Sequence, residues 1–410
     1  MRLAVFTNQF PSRLAPFFAR DMRSLLDAGV ELDVFPLYPL DPNQWVYVAD
    51  VFRDQRLPPD RVHHIPLRPA LDVTRRGLRR LPGFLRDATT LTATAWRYGP
   101  VGVAKTAYAA LKAWTWAERA PRYDHVLAYW GSYVATCAYM FHRLTDSSVP
   151  FSMFVRANAD LYLTPIHLAR KLLYADNVLL NCEFNRQYLR ERYDGIFPRI
   201  ADKIQVHYTG LDLRAVPFDA NHRPPRKVLA VGRFVALKGF PWLIRALHML
   251  HQRGCAVDLE LIGSGDLEPE LRRLIAQLGL ERHVRIRGWI LPDQVLAAMR
   301  EATLLVHSSV GLDALPNVVK EAMAVGTPVI ASDMAGVPEL LDGGRCGLLV
   351  PPGDVGALAD AIERLVGDPE LRDRYARAAR AHIEAHFDLQ RNGRHLAERL
   401  RATVRSNGRP

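Results

Sequence analysis

No run of eighteen apolar residues occurs anywhere in the 410-residue chain, so no helix is expected to cross a membrane. Cysteine is scarce. Cys137, Cys182, Cys255 and Cys346 lie far apart with no Cys-x-x-Cys pair, which argues against disulfides and against a structural zinc site and fits a reducing compartment. No Asn-x-Ser/Thr sequon is present, as expected of a cytoplasmic chain. The opening apolar stretch, Met1–Thr7, gives way at once to Asn8 and Gln9. That is too short for a signal peptide and reads as a first buried strand. A third glycine is also missing: Leu261-Ile-Gly-Ser-Gly-Asp266 carries only two after its strand, and the N-terminus offers no substitute. A nicotinamide enzyme is therefore disfavoured.

Acidic residues are few in one region. Between Pro66 and Arg122 stand eleven Lys/Arg against three Asp/Glu, much of the formal net charge of +11. Phe84, Trp96, Trp114 and Trp116 are interleaved with these charges. A basic, aromatic helical segment suits an anionic membrane surface, and equally suits a solvated helix with one buried side. No motif points to nucleic acid. The pair His63–His64 reads as an exposed loop without a ligand.

What is present is ordinary globular composition, 49% hydrophobic and 24% charged. Short apolar runs alternate with amphipathic stretches through both halves. A polar, proline-containing segment, Asp219–Arg226, separates them. Strands joined by crossover helices imply parallel sheets, so the chain is expected to be α/β, with two doubly wound Rossmann-like domains facing across a cleft. The domains are placed at 1–217 and 218–385, and a C-terminal helix at 386–410 is expected to pack back toward the N-terminal domain.

In the second half, Val231-Gly-Arg-Phe-Val-Ala-Leu-Lys-Gly-Phe240 leaves a strand and opens a helix. Gly232 is expected to permit a sharp turn. Arg233 and Lys238 across that loop suit a diphosphate, the first as a planar fork and the second as a point charge. Trp289, after another strand, suits either a nucleobase edge or plain packing. In Gly311–Ala331, Pro316 is expected at the first helical position, exposing the N–H groups of Asn317, Val318 and Val319 to an anion. Glu321 then suits ribose hydroxyls and Asp313 those of a sugar. Together these parts describe a nucleotide-sugar ligand.

At these residues the chain resembles the retaining glycosyltransferases of family GT4, with the GT-B fold. Pro316-Asn-Val-Val-Lys-Glu-Ala-Met-Ala and Gly347-Leu-Leu-Val-Pro-Pro-Gly-Asp354 carry the resemblance most strongly. Phe10–Phe18, Val155–Tyr162 and Lys203–Asp212 carry it more weakly, toward exopolysaccharide and lipopolysaccharide members. The resemblance implies donor binding in the C-terminal domain, through Gly232, Arg233, Lys238, Gly263, Gly265, Trp289, Asn317, Val318, Val319 and Glu321. It implies a glycan or lipid-linked acceptor on the N-terminal domain, with no cofactor and no metal. It implies catalytic positions at Asn158, Asp313 and Glu321. Two positions depart from the family pattern. Asp313 replaces the usual Glu and is one methylene shorter. Asn158 stands where the family has His, and it can hydrogen-bond a sugar but cannot act as a base. Transfer with the donor phosphate taking the acceptor proton accommodates Asn158. The alternatives are a non-catalytic nucleotide-sugar-binding subunit of a polysaccharide assembly complex, or a GT-B epimerase.

Overall fold

The structure, a computed structural model, describes residues 1–11, 16–39, 59–64, 75–156, 159–220 and 226–407. The chain divides into two compact units, 1–210 with 389–410, and 211–388, beside the 1–217, 218–385 and 386–410 read from sequence.

The first unit holds strands β1 (Arg2–Thr7), β2 (Glu31–Pro36), β3 (His125–Ala128), β4 (Phe151–Val155), β5 (Asn177–Leu180) and β6 (Ile204–Val206). All pair in parallel, in the order β2-β1-β3-β4-β5-β6. Their near-continuous burial, such as five of the six residues of β1, is what a parallel sheet covered on both faces requires. The covering helices are α1 (Pro16–Asp27), α2 (Arg75–Ala95), α3 (Gly99–Ala117), α4 (Tyr133–Leu144), α5 (Leu168–Tyr174), α6 (Glu183–Arg192) and α7 (Phe197–Ile200).

The second unit repeats the plan with β7 (Lys227–Val231), β8 (Asp258–Ile262), β9 (Val284–Gly288), β10 (Leu304–His307), β11 (Val329–Ser332) and β12 (Leu348–Val350), in the order β12-β11-β10-β7-β8-β9. Its helices are α8 (Phe240–Gln252), α9 (Glu268–Gln277), α10 (Pro292–Glu301), α11 (Asn317–Val325), α12 (Val337–Leu340), α13 (Val355–Gly367) and α14 (Pro369–His386). Local chemistry sets several ends. The carboxylates of Asp354 and Asp368 cap α13 and α14 by accepting the N–H of Ala357 and Leu371 at 2.9 and 2.8 Å. Gly326 closes α11 in the left-handed region. Last, α15 (Leu389–Asn407) rejoins the first unit against α1, burying Leu396, Ala397 and Leu400 in the cluster with Phe18, Met22 and Leu25.

In each sheet the strand order reverses once, between β1 and β3 and between β7 and β10. Ligands of doubly wound sheets collect at that switch point, beyond the strands' C-terminal ends.

The basic segment is more buried than its charge suggests. Trp114, Trp116 and the stem of Lys112 face the core, and Asp87 is buried with Arg143 and Arg170 on its carboxylate. Leu85, Trp96 and Val101 remain exposed. Part of the segment, residues 66–74, lies outside the described residues. His63 is not an idle loop residue: its Nε2 meets Asp33 Oδ1 at 2.8 Å and its ring stacks on Phe35 at 4.7 Å.

Candidate functional site

The switch point of the second sheet is where the loops after β7 and β10 meet, and the backbone explains why they meet closely. The loop 236–239 hands its carbonyls to the next crossover. Leu237 O accepts the N–H of Val310 and Gly311 at 2.8 and 3.1 Å, and also the Ser309 hydroxyl at 2.7 Å. Gly239 stands at φ 67 with Ser308 O only 1.9 Å from where a Cβ would sit, so no other residue fits there. This clasp carries Lys238 to Asp313. Their ammonium and carboxylate form a direct ion pair, and His307 Nε2 lies 3.5 Å from the same Asp313 oxygen.

His307, at the end of β10, is the functional neighbour that the sequence reading passed over. A single histidine closing an apolar strand looks like core, and it is buried. Burial pushes its imidazole down, as does the charge of Lys238, while Asp313 pulls it up. Burial alone would raise the Asp313 carboxyl. Contacts with His307 and with the Lys238 ammonium outweigh it and hold that carboxyl well below the usual range. The pair is thus a charged couple at the sheet's C-terminal edge, with a buried neutral imidazole behind it.

Arg233 shares this loop and is exposed. Its guanidinium meets no carboxylate among the described residues. Gly232 does not need to be glycine for the turn: a Cβ there would find its nearest neighbour at an ordinary 3.5 Å. The requirement falls instead on Gly263 and Gly265, where a Cβ would lie 1.9 Å from Gly232 O and 2.6 Å from Phe234 O. These glycines lace the loops after β7 and β8 together, with Phe234 N–H donating to Ser264 O at 2.9 Å. Trp289 follows β9 and is half exposed.

Pro316 does not occupy the first helical position. With ψ 121 it is the extended residue just before α11, and its carbonyl accepts the Val319 N–H at 3.1 Å. Val319 is also fully buried, so of the three expected donors only Asn317 and Val318 keep N–H groups without a backbone acceptor among the described residues. Pro316 preorganises this end because ring closure fixes its φ. Glu321 lies in the following turn, partly buried. The second unit therefore brings together Lys238, Asp313 and His307, and sets Arg233 in the same loop as Lys238.

In the first unit Asn158 lies outside the described residues, but its flanks are held firmly. Arg156 is buried under four aromatic rings, 4.1 Å from the Tyr129 centroid and 4.5 Å from that of Phe154, and donates to Thr209 Oγ1 at 3.0 Å. Asp160 is fully buried and accepts the N–H of Ser132 at 2.9 Å and of Arg156 at 3.1 Å. Lys171 spends three hydrogen bonds, of 2.6 to 3.2 Å, on Gly131 O, Ser132 O and Thr136 Oγ1. Burial pushes its amine down to about 7. These groups fix the loops after β3 and β4, beyond the C-terminal ends of those strands. Lys171 was not legible from sequence, because a lysine on a short helix normally faces water.

Residues 225–368 match the family model described as Glycosyl transferases group 1. Over 98% of its length the chain is 28% identical to the amylovoran biosynthesis glycosyltransferase AmsK of Erwinia amylovora, covering 99% of that protein. It is 35% identical to the lipopolysaccharide core biosynthesis glycosyltransferase LpsE of Rhizobium meliloti, over 40% of this chain and 46% of that one. Among solved structures, Anabaena HepE in complex with UDP and glucose superposes with a TM-score of 0.69 at 19% identity, over 98% of this chain and 100% of the other. That likeness is one of fold.

Proposed function

From the match of residues 225–368 to the group 1 glycosyl transferase model, the GT-B fold and the similarity to enzymes of exopolysaccharide and lipopolysaccharide biosynthesis, we propose that this chain is a glycosyltransferase that moves a hexose from a nucleoside diphosphate sugar to a glycan or lipid-linked acceptor, with retention at the sugar carbon and without a metal ion. The observation that carries this reading is the Lys238–Asp313 pair at the switch point, one loop ahead of the open N-terminus of α11.

The chemistry follows from where charge develops. The bond from the sugar carbon to the diphosphate oxygen breaks, and the acceptor oxygen bonds to the same face. The acceptor proton passes to the departing phosphate oxygen, so no protein base is required. Negative charge on the leaving diphosphate is met by Lys238, by the Arg233 fork, and by the N–H groups of Asn317 and Val318 at a positive helix end. Asp313 holds the Lys238 ammonium in place before the donor arrives and offers its second oxygen to a sugar hydroxyl. Glu321 takes the ribose, and Asn158 positions the transferred sugar. UDP is the first donor nucleotide to test, since HepE was solved with UDP and glucose.

Thermal stabilisation by UDP and GDP tests the site. At about one hundred times its Kd a bound nucleotide adds roughly 2.7 kcal/mol to stability. Lys238→Ala is expected to abolish that shift and to lower transfer by about two decades, the effect of losing roughly 3 kcal/mol of transition-state stabilisation. Wild-type turnover in Lys238→Ala would sink the assignment. A nucleotide shift with no transfer to any acceptor would favour a binding subunit.

We propose further that the acceptor side works at an anionic membrane surface met by α2, α3 and the turn between them, where Leu85, Trp96 and Val101 stand exposed among basic residues. Among the described residues no helix is long and apolar enough to cross a membrane. Flotation with anionic vesicles, weakened by Trp96→Ala and by salt, is the expected result. Equal recovery with neutral vesicles would remove the electrostatic part.

A further inference from the structure

The second sheet carries another cluster of chemically distinct side chains, at the edge away from Lys238. The turn leading into the N-terminal end of β12 packs beside the last turns of α14. There Asp342, Cys346 and His382 bring a carboxylate oxygen, a thiol sulfur and an imidazole nitrogen within 4.8 Å of one another. His386 follows four residues after His382, on the same helix face, with the two ring centroids 4.7 Å apart. The donor chemistry uses none of these groups, because it gathers where strands end rather than where they begin.

Sulfur, imidazole nitrogen and carboxylate oxygen form a set suited to zinc, which takes four such ligands in a tetrahedron. The turn is shaped to present them. Asp342, Gly343 and Gly344 all stand in the left-handed region, at φ 50, 63 and 95, and they fold the chain back toward Cys346. Aspartate is among the few side-chain-bearing residues that enter that region readily. Zinc bonds of about 2.0 to 2.3 Å place donor atoms roughly 3.5 Å apart, so the cluster has to close by about 1 Å, which side-chain rotation can supply. Arg345 presently holds Asp342 with contacts of 2.5 and 2.7 Å. That guanidinium is largely exposed, and exposed ion pairs are worth about 1 kcal/mol or less, so a bound dication displaces it readily.

We propose that Asp342, Cys346 and His382, with His386 as the fourth donor, form a zinc site that ties the end of α14 to the crossover between β11 and β12. On binding, the Cys346 thiol releases its proton to solvent as the zinc–sulfur bond forms. Cysteine spacing alone argued against structural zinc, because the donors here come from two segments far apart in the chain and only one of them is cysteine.

The test is a cobalt titration of the full chain, with zinc as competitor. A near-ultraviolet thiolate-to-cobalt charge-transfer band is expected, saturating at one equivalent and bleached by one equivalent of Zn2+. Cys346→Ser should abolish the band, and Cys255→Ser, at a separate thiol, should leave it intact. His386→Ala changes an exposed residue and so preserves folding. It should weaken cobalt binding at least about tenfold, since even outer-shell losses cost that much. Absence of the band in the wild-type chain overturns the site. So does a band that survives both Cys346→Ser and His386→Ala.

Discussion

The imidazole of His125 lies wholly inside the first unit, where Nε2 meets Ser152 Oγ at 2.8 Å. Ser152 also receives Asn177 Nδ2 at 3.2 Å, and Asn177 reaches Thr403 Oγ1 on α15 at 2.6 Å. Burial, reinforced by the neighbouring His142, pushes the His125 imidazole from 6.5 down to about 3. Between those two values the unfolded chain binds a proton that the folded chain refuses, so stability rises with pH through this window and falls on acidification. One such group contributes a slope of at most about 1.4 kcal/mol per pH unit. Replacing His125 with Asn should flatten the dependence of the urea midpoint on pH between about 3 and 6.5. Equal slopes in the two proteins would show that His125 does not carry it. Individual residues were unevenly legible in the sequence. Lys238 and Asp313 stood out because charged groups beside a glycine turn invite a ligand. His307 and Lys171 did not, because their importance comes from burial, which only the assembled sheet creates.

Where α15 lies on α1, a glycine sets the distance between the two helices. A Cβ at Gly393 would sit 2.3 Å from Ser24 Oγ and 2.4 Å from Ser24 Cβ. Gly393→Ala is therefore expected to destabilise the first unit by about 1–3 kcal/mol, the usual cost of overpacking, despite the better helix propensity of alanine. Gly83 in α2 is the opposite case. It is exposed, with no atom within 4 Å of a built Cβ, so Gly83→Ala should stabilise by up to about 1 kcal/mol. Chemical denaturation of both variants decides the matter, and a neutral Gly393→Ala would mean that the helices separate freely. Elements were the most readable level of this chain. The strands Lys227–Val231 and Leu304–His307 and the helix Tyr133–Leu144 have the bounds their hydrophobic periods predict. The misread points were geometric: Pro316 lies just before its helix, and Gly263 and Gly265 rather than Gly232 are the positions the backbone demands. Which carbonyl faces which glycine depends on loops that meet only after the sheet forms.

The two units are built differently with respect to the chain. The second is one continuous stretch, 211–388, whereas the first needs both ends, 1–210 and 389–410. The two crossings run side by side: Leu211 N–H donates to Phe387 O at 2.8 Å. The closing segment contributes more than cover. Leu396, Ala397 and Leu400 are buried to 1% or less, and Arg401 donates to Ala28 O at 2.6 Å. Fully burying two leucines is worth roughly 3–6 kcal/mol, a large part of the about 5–15 kcal/mol that holds a typical domain folded. Deleting residues 389–410 should therefore lower the unfolding temperature of the first unit and leave the second, whose core lies within 211–388. Calorimetry should resolve a transition that moves and one that does not. UDP or GDP should raise only the one that stays, because the proposed diphosphate site belongs entirely to the second unit. If both transitions fell together, the units would be unfolding as one cooperative body, and the stability of the donor site would depend on the C-terminal helix as well.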